Sequence, residues 1–368
     1  MEFICNLEQL KTISNNVSLA INLKQTTMPI LEGILLECEN NQLKLTGYDL
    51  SLGIVKNLKV DQKQKGKIVL KAQLFVDILR KLDGELVEIK TDLNLITTIK
   101  SKSTEYKIAG IKADIYPKLP EINNENKITI KDKTLKEAIF KTLFAVSINT
   151  SQNPILCGSL FTIENNTLTI VSVDGYRVAI SNSSIENNNI NKSFVISSKT
   201  LNEILKLLKE TDDAKTTIEI GETHIIFKID GYYIISRLLQ GSFLDYKAAI
   251  PKTCSTTIKI DPKTLEQSLL KVSVMVTQKI SVLMKIYEDN IYLECESNLG
   301  KVEDILKTKI EGEILEKIAF NNKFMLDALK HCQTQNIKIG FNGPIMPIKI
   351  EPEEGNEFLY LVLPVRLK

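Results

Sequence analysis

Three sets of landmarks recur along this chain at nearly one interval, and that repeat constrains the fold more than any other feature. Residues 69–75, 195–201 and 319–325 each pass from apolar residues through a polar break into an amphipathic segment. Their last members, Phe75, Leu201 and Met325, stand 126 and 124 residues apart. Residues 43–49, 168–174 and 292–298 form a second set spaced by 125 and 124, and 30–33 returns as 155–158. A third set, at 3–10, 128–135 and 258–265, shares a short apolar alternation followed by a polar break. The interval exceeds a solenoid unit of roughly 20–50 residues and has the size of a domain. The 368 residues therefore read as three homologous domains in tandem, at 1–120, 127–248 and 255–368.

Within each repeat two periodicities alternate. Leu135, Ile139 and Val146, like Leu201, Ile204, Leu205 and Leu208, follow the 3.6-residue spacing of a helix with one apolar face. Residues 42–46, 167–173, 223–229 and 232–239 read as strands. Asn40-Asn41, Asn165-Asn166, Asp230-Gly231 and Asp289-Asn290 lie at their ends, and such pairs favour tight turns between antiparallel strands. Each domain should be an antiparallel sheet layer backed by two helices, an α+β fold. Linkers are expected at 117–126 and 249–255, where Pro and polar residues interrupt the periodicity.

Composition removes several classes of function. With 43% hydrophobic and 25% charged residues the chain is ordinary globular protein. Its apolar runs are far shorter than the roughly 20 residues of a spanning helix, and the N-terminus lacks the pattern of a secretory signal. The six cysteines have no CxxC spacing, which fits buried thiols in a reducing cytoplasm. His224 and His331 have no second ligand nearby in sequence, and no phosphate loop, GxGxxG or GxSxG motif occurs. No metal and no cofactor is expected. An interdomain hydrolase or transferase site around Asp174, Arg177 and Asp245 remains a rival reading, as does a repeat scaffold that binds only proteins.

The net charge of +2 announces no nucleic-acid binder, and the three repeats carry +3, −1 and 0 over residues 1–120, 121–250 and 251–368. The cations nevertheless recur. Arg80, Lys206 and Lys330 hold one repeat position; Lys199 and Lys323 hold another, where the first repeat has Gln73. Lys141 and Lys271 coincide on the first helix, with Asn16 at that place in the first repeat. Such faces could meet phosphates without reading bases. Solvated helices carry lysines for no such reason, so this pattern leaves the two readings open.

Three stretches then acquire a further meaning: Val173-Asp-Gly-Tyr-Arg-Val-Ala179, Ser236-Arg-Leu-Leu-Gln-Gly-Ser-Phe-Leu-Asp-Tyr246 and Tyr360-Leu-Val-Leu-Pro-Val-Arg-Leu367. With Thr27-Met-Pro-Ile-Leu31, Tyr116-Pro-Lys-Leu-Pro120, Phe144-Ala-Val-Ser147 and Phe324-Met-Leu-Asp-Ala-Leu329, the chain resembles, over nearly all its length, the beta subunit of bacterial DNA polymerase III, the beta sliding clamp. The resemblance implies the DNA clamp fold, closed into a ring by a head-to-tail homodimer that encircles double-stranded DNA. It implies a non-catalytic processivity factor in the cytoplasm, with no membrane partner. Its partners would be the DNA polymerase III catalytic subunit, a clamp-loader ATPase and other proteins bearing a clamp-binding motif.

Site residues follow from the same resemblance. The DNA-facing set would be Lys24, Gln25, Arg80, Lys141, Lys199, Lys206, Lys271, Lys323 and Lys330. Tyr106 and Ile108 of one copy would meet the region of Val274 and Met275 of the other. A partner-peptide pocket would be lined by Leu156, Val173, Gly175, Tyr176, Arg177, Val178 and Leu244, together with Pro347, Val362, Leu363, Pro364, Val365 and Arg366. Val173, Tyr176 and Leu244 stand where the family often has Thr, His and Pro, so a pocket is expected with a peptide preference of its own.

Overall fold

The structure is a computed structural model, and it describes residues 1–21, 28–122, 126–149, 151, 153–186, 190–275, 281–287, 289–298 and 300–366. The first repeat comprises β1 (Glu2–Asn6), α1 (Leu7–Ser18), β2 (Gly33–Glu39), β3 (Gln42–Tyr48), β4 (Leu52–Lys59), β5 (Asp61–Gln64), β6 (Gly66–Lys71), α2 (Ala72–Lys81), β7 (Leu86–Thr91), β8 (Ile96–Ser101) and β9 (Thr104–Ala109). The second comprises β10 (Lys127–Lys131), α3 (Asp132–Leu143), β11 (Gly158–Glu164), β12 (Thr167–Val173), β13 (Arg177–Ser184), β14 (Lys192–Ser197), α4 (Ser198–Leu207), β15 (Lys215–Ile220), β16 (His224–Ile229) and β17 (Tyr232–Leu239). The third comprises β18 (Thr256–Ile260), α5 (Pro262–Val272), β19 (Val282–Tyr287), β20 (Asn290–Ser297), β21 (Gly300–Lys307), β22 (Lys309–Gly312), β23 (Leu315–Phe320), α6 (Asn322–Lys330), β24 (Ile337–Phe341), β25 (Ile348–Pro352) and β26 (Phe358–Val362). Each repeat thus carries its two expected helices.

The chain divides into two compact units, residues 1–133 with 202–238, and residues 134–201 with 239–368. In the first unit β5-β1-β7-β8-β9 form one antiparallel sheet. A second sheet runs β10-β15-β16-β17-β4-β3-β2-β6, so strands of the first and second repeats share it. The junction pairs Tyr233 with Val55 and Ser236 with Leu52. In the second unit β14-β11-β12-β13-β26-β25-β24-β18-β22 form a corresponding shared sheet, joined where Arg177 pairs with Val362 and Ser181 with Phe358. The remaining sheet is β21-β20-β19-β23. The antiparallel sheets backed by two helices per repeat are as expected, and the structure adds that each repeat divides its strands between two sheets, because edge pairing across the repeat junctions removes open edges.

Local chemistry explains the elements. Asn40 and Asn41 (φ 54° and 55°), like Asn165 and Asn166 (49° and 60°), adopt the left-handed conformation that two-residue hairpin turns demand. Asn6 caps α1 by accepting the Gln9 N–H at 3.0 Å, and Asn321 caps α6 through the Lys323 N–H at 3.0 Å. Asp261 accepts the Lys263 and Thr264 N–H groups at the start of α5, where Pro262 takes the first helical position. α3 stops at Leu143 and α4 at Leu207, short of Val146 and Leu208 in the predicted stripes. Val146 instead follows a tight turn, while the Leu208 N–H still bonds to the Ile204 carbonyl at 3.0 Å.

Apolar helix faces close the cores. In the first unit Phe3, Leu10, Ile34, Leu45 and Phe75 are fully buried. In the second, Leu265, Leu269 and Val272 of α5 join Met325, Ala328 and Leu329 of α6 over Met284, Ile339 and Tyr360. At about 25 cal/mol per Å2 of apolar surface, each such side chain contributes about 1.5–3 kcal/mol when buried.

Candidate functional site

The second unit holds a constellation centred on Arg177, the first residue of β13. The preceding turn is shaped by Asp174, whose Oδ1 accepts the N–H groups of Tyr176 and Arg177, each at 3.0 Å. Gly175 takes φ +90°, which disfavours any other residue, and a Cβ there would meet nothing within 4 Å. The Arg177 guanidinium donates from Nε to Asp174 Oδ2 at 2.8 Å and from Nη1 to Asp327 Oδ2 at 2.6 Å. It also lies over the rings of Phe324, at 4.6 Å, and Phe144, at 5.4 Å. With its side chain only 9% exposed, this cation needs both carboxylates and both rings.

Tyr176, by contrast, is 63% exposed and stacks on Phe324 with centroids 6.0 Å apart. Its carbonyl accepts the Leu363 N–H at 2.9 Å, which ties the C-terminal tail to the turn. Further along the tail the Val365 N–H donates to the Ala319 carbonyl at 2.7 Å, and Pro364 bridges to Phe320. Leu363 and Val365 keep 38% and 41% of their surface exposed. Beside the turn, Leu156, Val173, Val178 and Leu361 form one apolar cluster against which Phe243 and Tyr246 pack. Exposed aromatic and aliphatic side chains on a rigid floor are what a peptide's apolar anchors require.

Of the residues expected in a pocket, the structure gathers Leu156, Val173 and Val178 in one cluster and joins the turn of Gly175, Tyr176 and Arg177 to Leu363, while Pro364 and Val365 pair with Phe320 and Ala319 at the end of β23. Val362 is a correction: it is buried in the core with Tyr360 and Phe341, because strand alternation turns neighbours to opposite faces and gives the cluster Leu361 instead. Leu244 is half exposed and stands outside that cluster, Arg366 is exposed, and Pro347 lies half-buried ahead of β25. Phe324 and Asp327 join the site through contacts with Arg177 that its sequence neighbours do not announce. Repeat arithmetic could have flagged Asp327, since Asp77 and Glu203 hold its position. Along the same sheet face a groove of about 510 Å3 is lined by Thr162, Thr169, Ile180, Asn182, Tyr246 and Leu359, and no sequence signal pointed to it.

The rival catalytic reading loses its central acid. Asp174 spends its carboxylate on two backbone N–H groups and Arg177, a positioning arrangement. His331 is half-buried behind the site, donating from Nδ1 to the Asp327 carbonyl at 2.6 Å and stacking on Phe144 at 4.4 Å. Burial, with lesser contributions from Arg177 and Lys330, holds its imidazole below the usual histidine range despite the opposing pull of Asp327. Burial pushes the neighbouring Cys332 thiol up to about 12. Among the described residues no group of three or more His, Cys, Asp or Glu could hold a metal ion.

The predicted phosphate-facing cations lie on the helices. Arg80, Lys141, Lys206, Lys271 and Lys330 all stand in the last turn of α2 to α6 respectively, where they also oppose the helix dipole. Arg80 contacts Asp77 at 3.5 Å and also donates to Asn15. Lys206 pairs with Glu203 at 2.6 Å and Lys271 with Asp304 at 3.0 Å. Lys323 is exposed on α6 and Lys199 half-buried on α4. Lys24 and Gln25 lie outside the described residues.

Two sheet edges are also relevant. β9, which carries Tyr106 and Ile108, pairs only with β8, and β21 only with β20, among the described residues. Val274 and Met275 form a short turn of helix after α5 that packs on β20 and β21, with Val274 79% exposed. Ile305 on β21 is 52% exposed. By repeat position β21 corresponds to β4 and β13, and β9 to β17 and β26, the strands that form the two internal junctions.

Three repeats whose sheets are joined edge to edge define the DNA clamp architecture, and comparison with known proteins agrees. Models of the DNA polymerase III beta subunit match residues 1–120 as the N-terminal domain, 129–245 as the central domain and 247–366 as the C-terminal domain. The beta sliding clamp of Halalkalibacterium halodurans is 33% identical over the whole of both chains. That of Staphylococcus epidermidis is 30% identical over all of this chain and 99% of its own. The crystal structure of the Bacillus subtilis DNA polymerase sliding clamp superposes with a TM-score of 0.96 at 31% identity, covering both chains fully. The chain belongs to the DNA polymerase III beta subunit family, the beta sliding clamps. Its role is that of a processivity factor in DNA replication.

Proposed function

We propose that two copies close head-to-tail around duplex DNA and act without turning over a substrate. The observation that carries this is the pair of open edges. Two internal junctions, β4 with β17 and β13 with β26, are antiparallel. The same junction between β21 of one copy and β9 of the next uses the remaining repeat-equivalent edges and closes a heterologous interface. Tyr106 and Ile108 then meet the Val274 and Met275 region. No helix among the described residues is long and apolar enough to cross a membrane.

In this reading the helix cations Arg80, Lys141, Lys199, Lys206, Lys271, Lys323 and Lys330 face phosphates, and the ring holds DNA by topology rather than by tight contacts. The surface around Tyr176, Leu363 and Val365 takes short apolar peptide motifs of the DNA polymerase III catalytic subunit, the clamp-loader ATPase and other partners in the cytoplasm. The test is retention. The loaded protein should stay on circular DNA and leave when the circle is cut; indifference to topology would sink the reading. Removing residues 363–368 should abolish stimulation of the polymerase while leaving a dimer, and unchanged stimulation would refute the peptide surface.

A further inference from the structure

The recurring cation at the end of each second helix is accompanied by a recurring acid. Asp77, Glu203 and Asp327 stand three residues before Arg80, Lys206 and Lys330, at one repeat position. In α2 and α4 the acid contacts its cation, at 3.5 Å and 2.6 Å. In α6 the acid turns to Arg177 instead, at 2.6 Å. On α5 the same outcome is reached differently: Asp304 of β21 accepts from Lys271 at 3.0 Å and also from Ser268. We propose that Asp77 and Glu203 are affinity-setting residues, which neutralise Arg80 and Lys206 in advance and so keep the helix face from gripping duplex DNA. This rests on the reading that these helices face DNA, and it adds a reason for the near-neutral charge of each repeat.

A cation already paired with a carboxylate neutralises a phosphate less effectively and releases fewer counterions on meeting DNA. The exposed pair of Asp77 with Arg80 adds little to stability, so that acid has small structural value to set against the charge it cancels. Glu203 is held firmly, with 16% of its side chain exposed, whereas Asp77 is open at 48%. For a ring that must translocate, a weaker electrostatic grip means less friction.

The experiment measures binding of a short fluorescent duplex by the intact protein across a range of salt concentrations. Asp77→Asn with Glu203→Gln should tighten binding by about threefold or more at the lowest salt, and steepen the dependence of log K on log salt by up to about 2. Asp77→Asn alone, at the more exposed site, should give part of both effects and guards against a folding defect at Glu203. Arg80→Gln with Lys206→Gln should weaken binding, and in that background the acid substitutions should lose most of their effect. Unchanged affinity and slope in the acid variants, with binding weakened in the cation variant, would overturn the proposal and leave the DNA-facing reading intact. No weakening in the cation variant would overturn that reading and the proposal with it.

Discussion

Asp327 on α6 reaches Arg177 at the start of β13 across 2.6 Å and 150 residues of sequence. The same residue's carbonyl receives the Nδ1–H of His331 at 2.6 Å. One aspartate thus fixes the turn that presents Tyr176 and the histidine behind it. Its repeat equivalents, Asp77 and Glu203, contact helix cations instead, so one inherited position has acquired two uses.

Asp327→Asn should therefore loosen the turn. Arg177 would keep Asp174 but lose a charged acceptor in a mostly buried setting, a cost of about 1–3 kcal/mol. Calorimetry should show a drop in Tm of about 2–4 °C per kcal/mol, and anisotropy should show weaker binding of a partner peptide. A variant with native Tm and native peptide affinity would contradict the role assigned to this contact.

His331 gives a pH dependence with a definite sign. Its folded pKa lies below its unfolded value, so its contribution to stability is complete above about pH 6.5. That contribution is lost as the pH falls from there through the folded pKa. Tm measured between pH 8 and pH 5 should decline in the lower part of the range, and His331→Gln should flatten the decline. Arg177, Lys330 and Asp327 act on the ring electrostatically, and Phe144 stacks on it.

The cap of α5 offers a purely local test. Asp261→Ala removes the acceptor for the Lys263 and Thr264 N–H groups and should cost about 1 kcal/mol. The Thr264 hydroxyl and the two amides hold this carboxyl below the usual range despite partial burial. The stabilisation is therefore present above about pH 3.9 and disappears as acid lowers the pH through the folded pKa. Acid unfolding of the variant should lack that increment, and an identical acid midpoint would argue against the cap.

Ile305→Asp on the open edge of β21 should convert the dimer to monomer. Ile305 is half exposed in the single chain, so the fold should lose little. A mass by light scattering near 41.5 kDa is expected in place of about twice that value. A dimer that survives both this change and Val274→Glu would mean that the edges are joined elsewhere.

Repeat spacing alone makes the three-part fold legible, and the resemblance points to the turn at Asp174–Arg177 and the C-terminal tail, which the structure ties together through the Tyr176 carbonyl and the Leu363 N–H. What escaped were features that depend on one-residue offsets or distant partners. Val362 and Leu361 differ by a single position, yet an extended strand sends one into the core and the other to the outer cluster. Nothing in the sequence marks Asp327 as a partner of Arg177, because the two are 150 residues apart. The division of each repeat between two sheets was hidden for the same reason, since β4 and β17 carry no mark naming each other as neighbours.

The shared sheets also bear on how such a chain can be dismantled. A repeat copied in a gene is usually expected to survive excision, but here the duplicated segment and the compact unit do not coincide. Cutting between residues 120 and 127 would strip β10, β15, β16 and β17 from their sheet and leave Ile54 and Val55 of β4 on a raw edge. Neither fragment would be a smaller clamp. Ancestry ran in thirds, whereas integrity is held in blocks that straddle them.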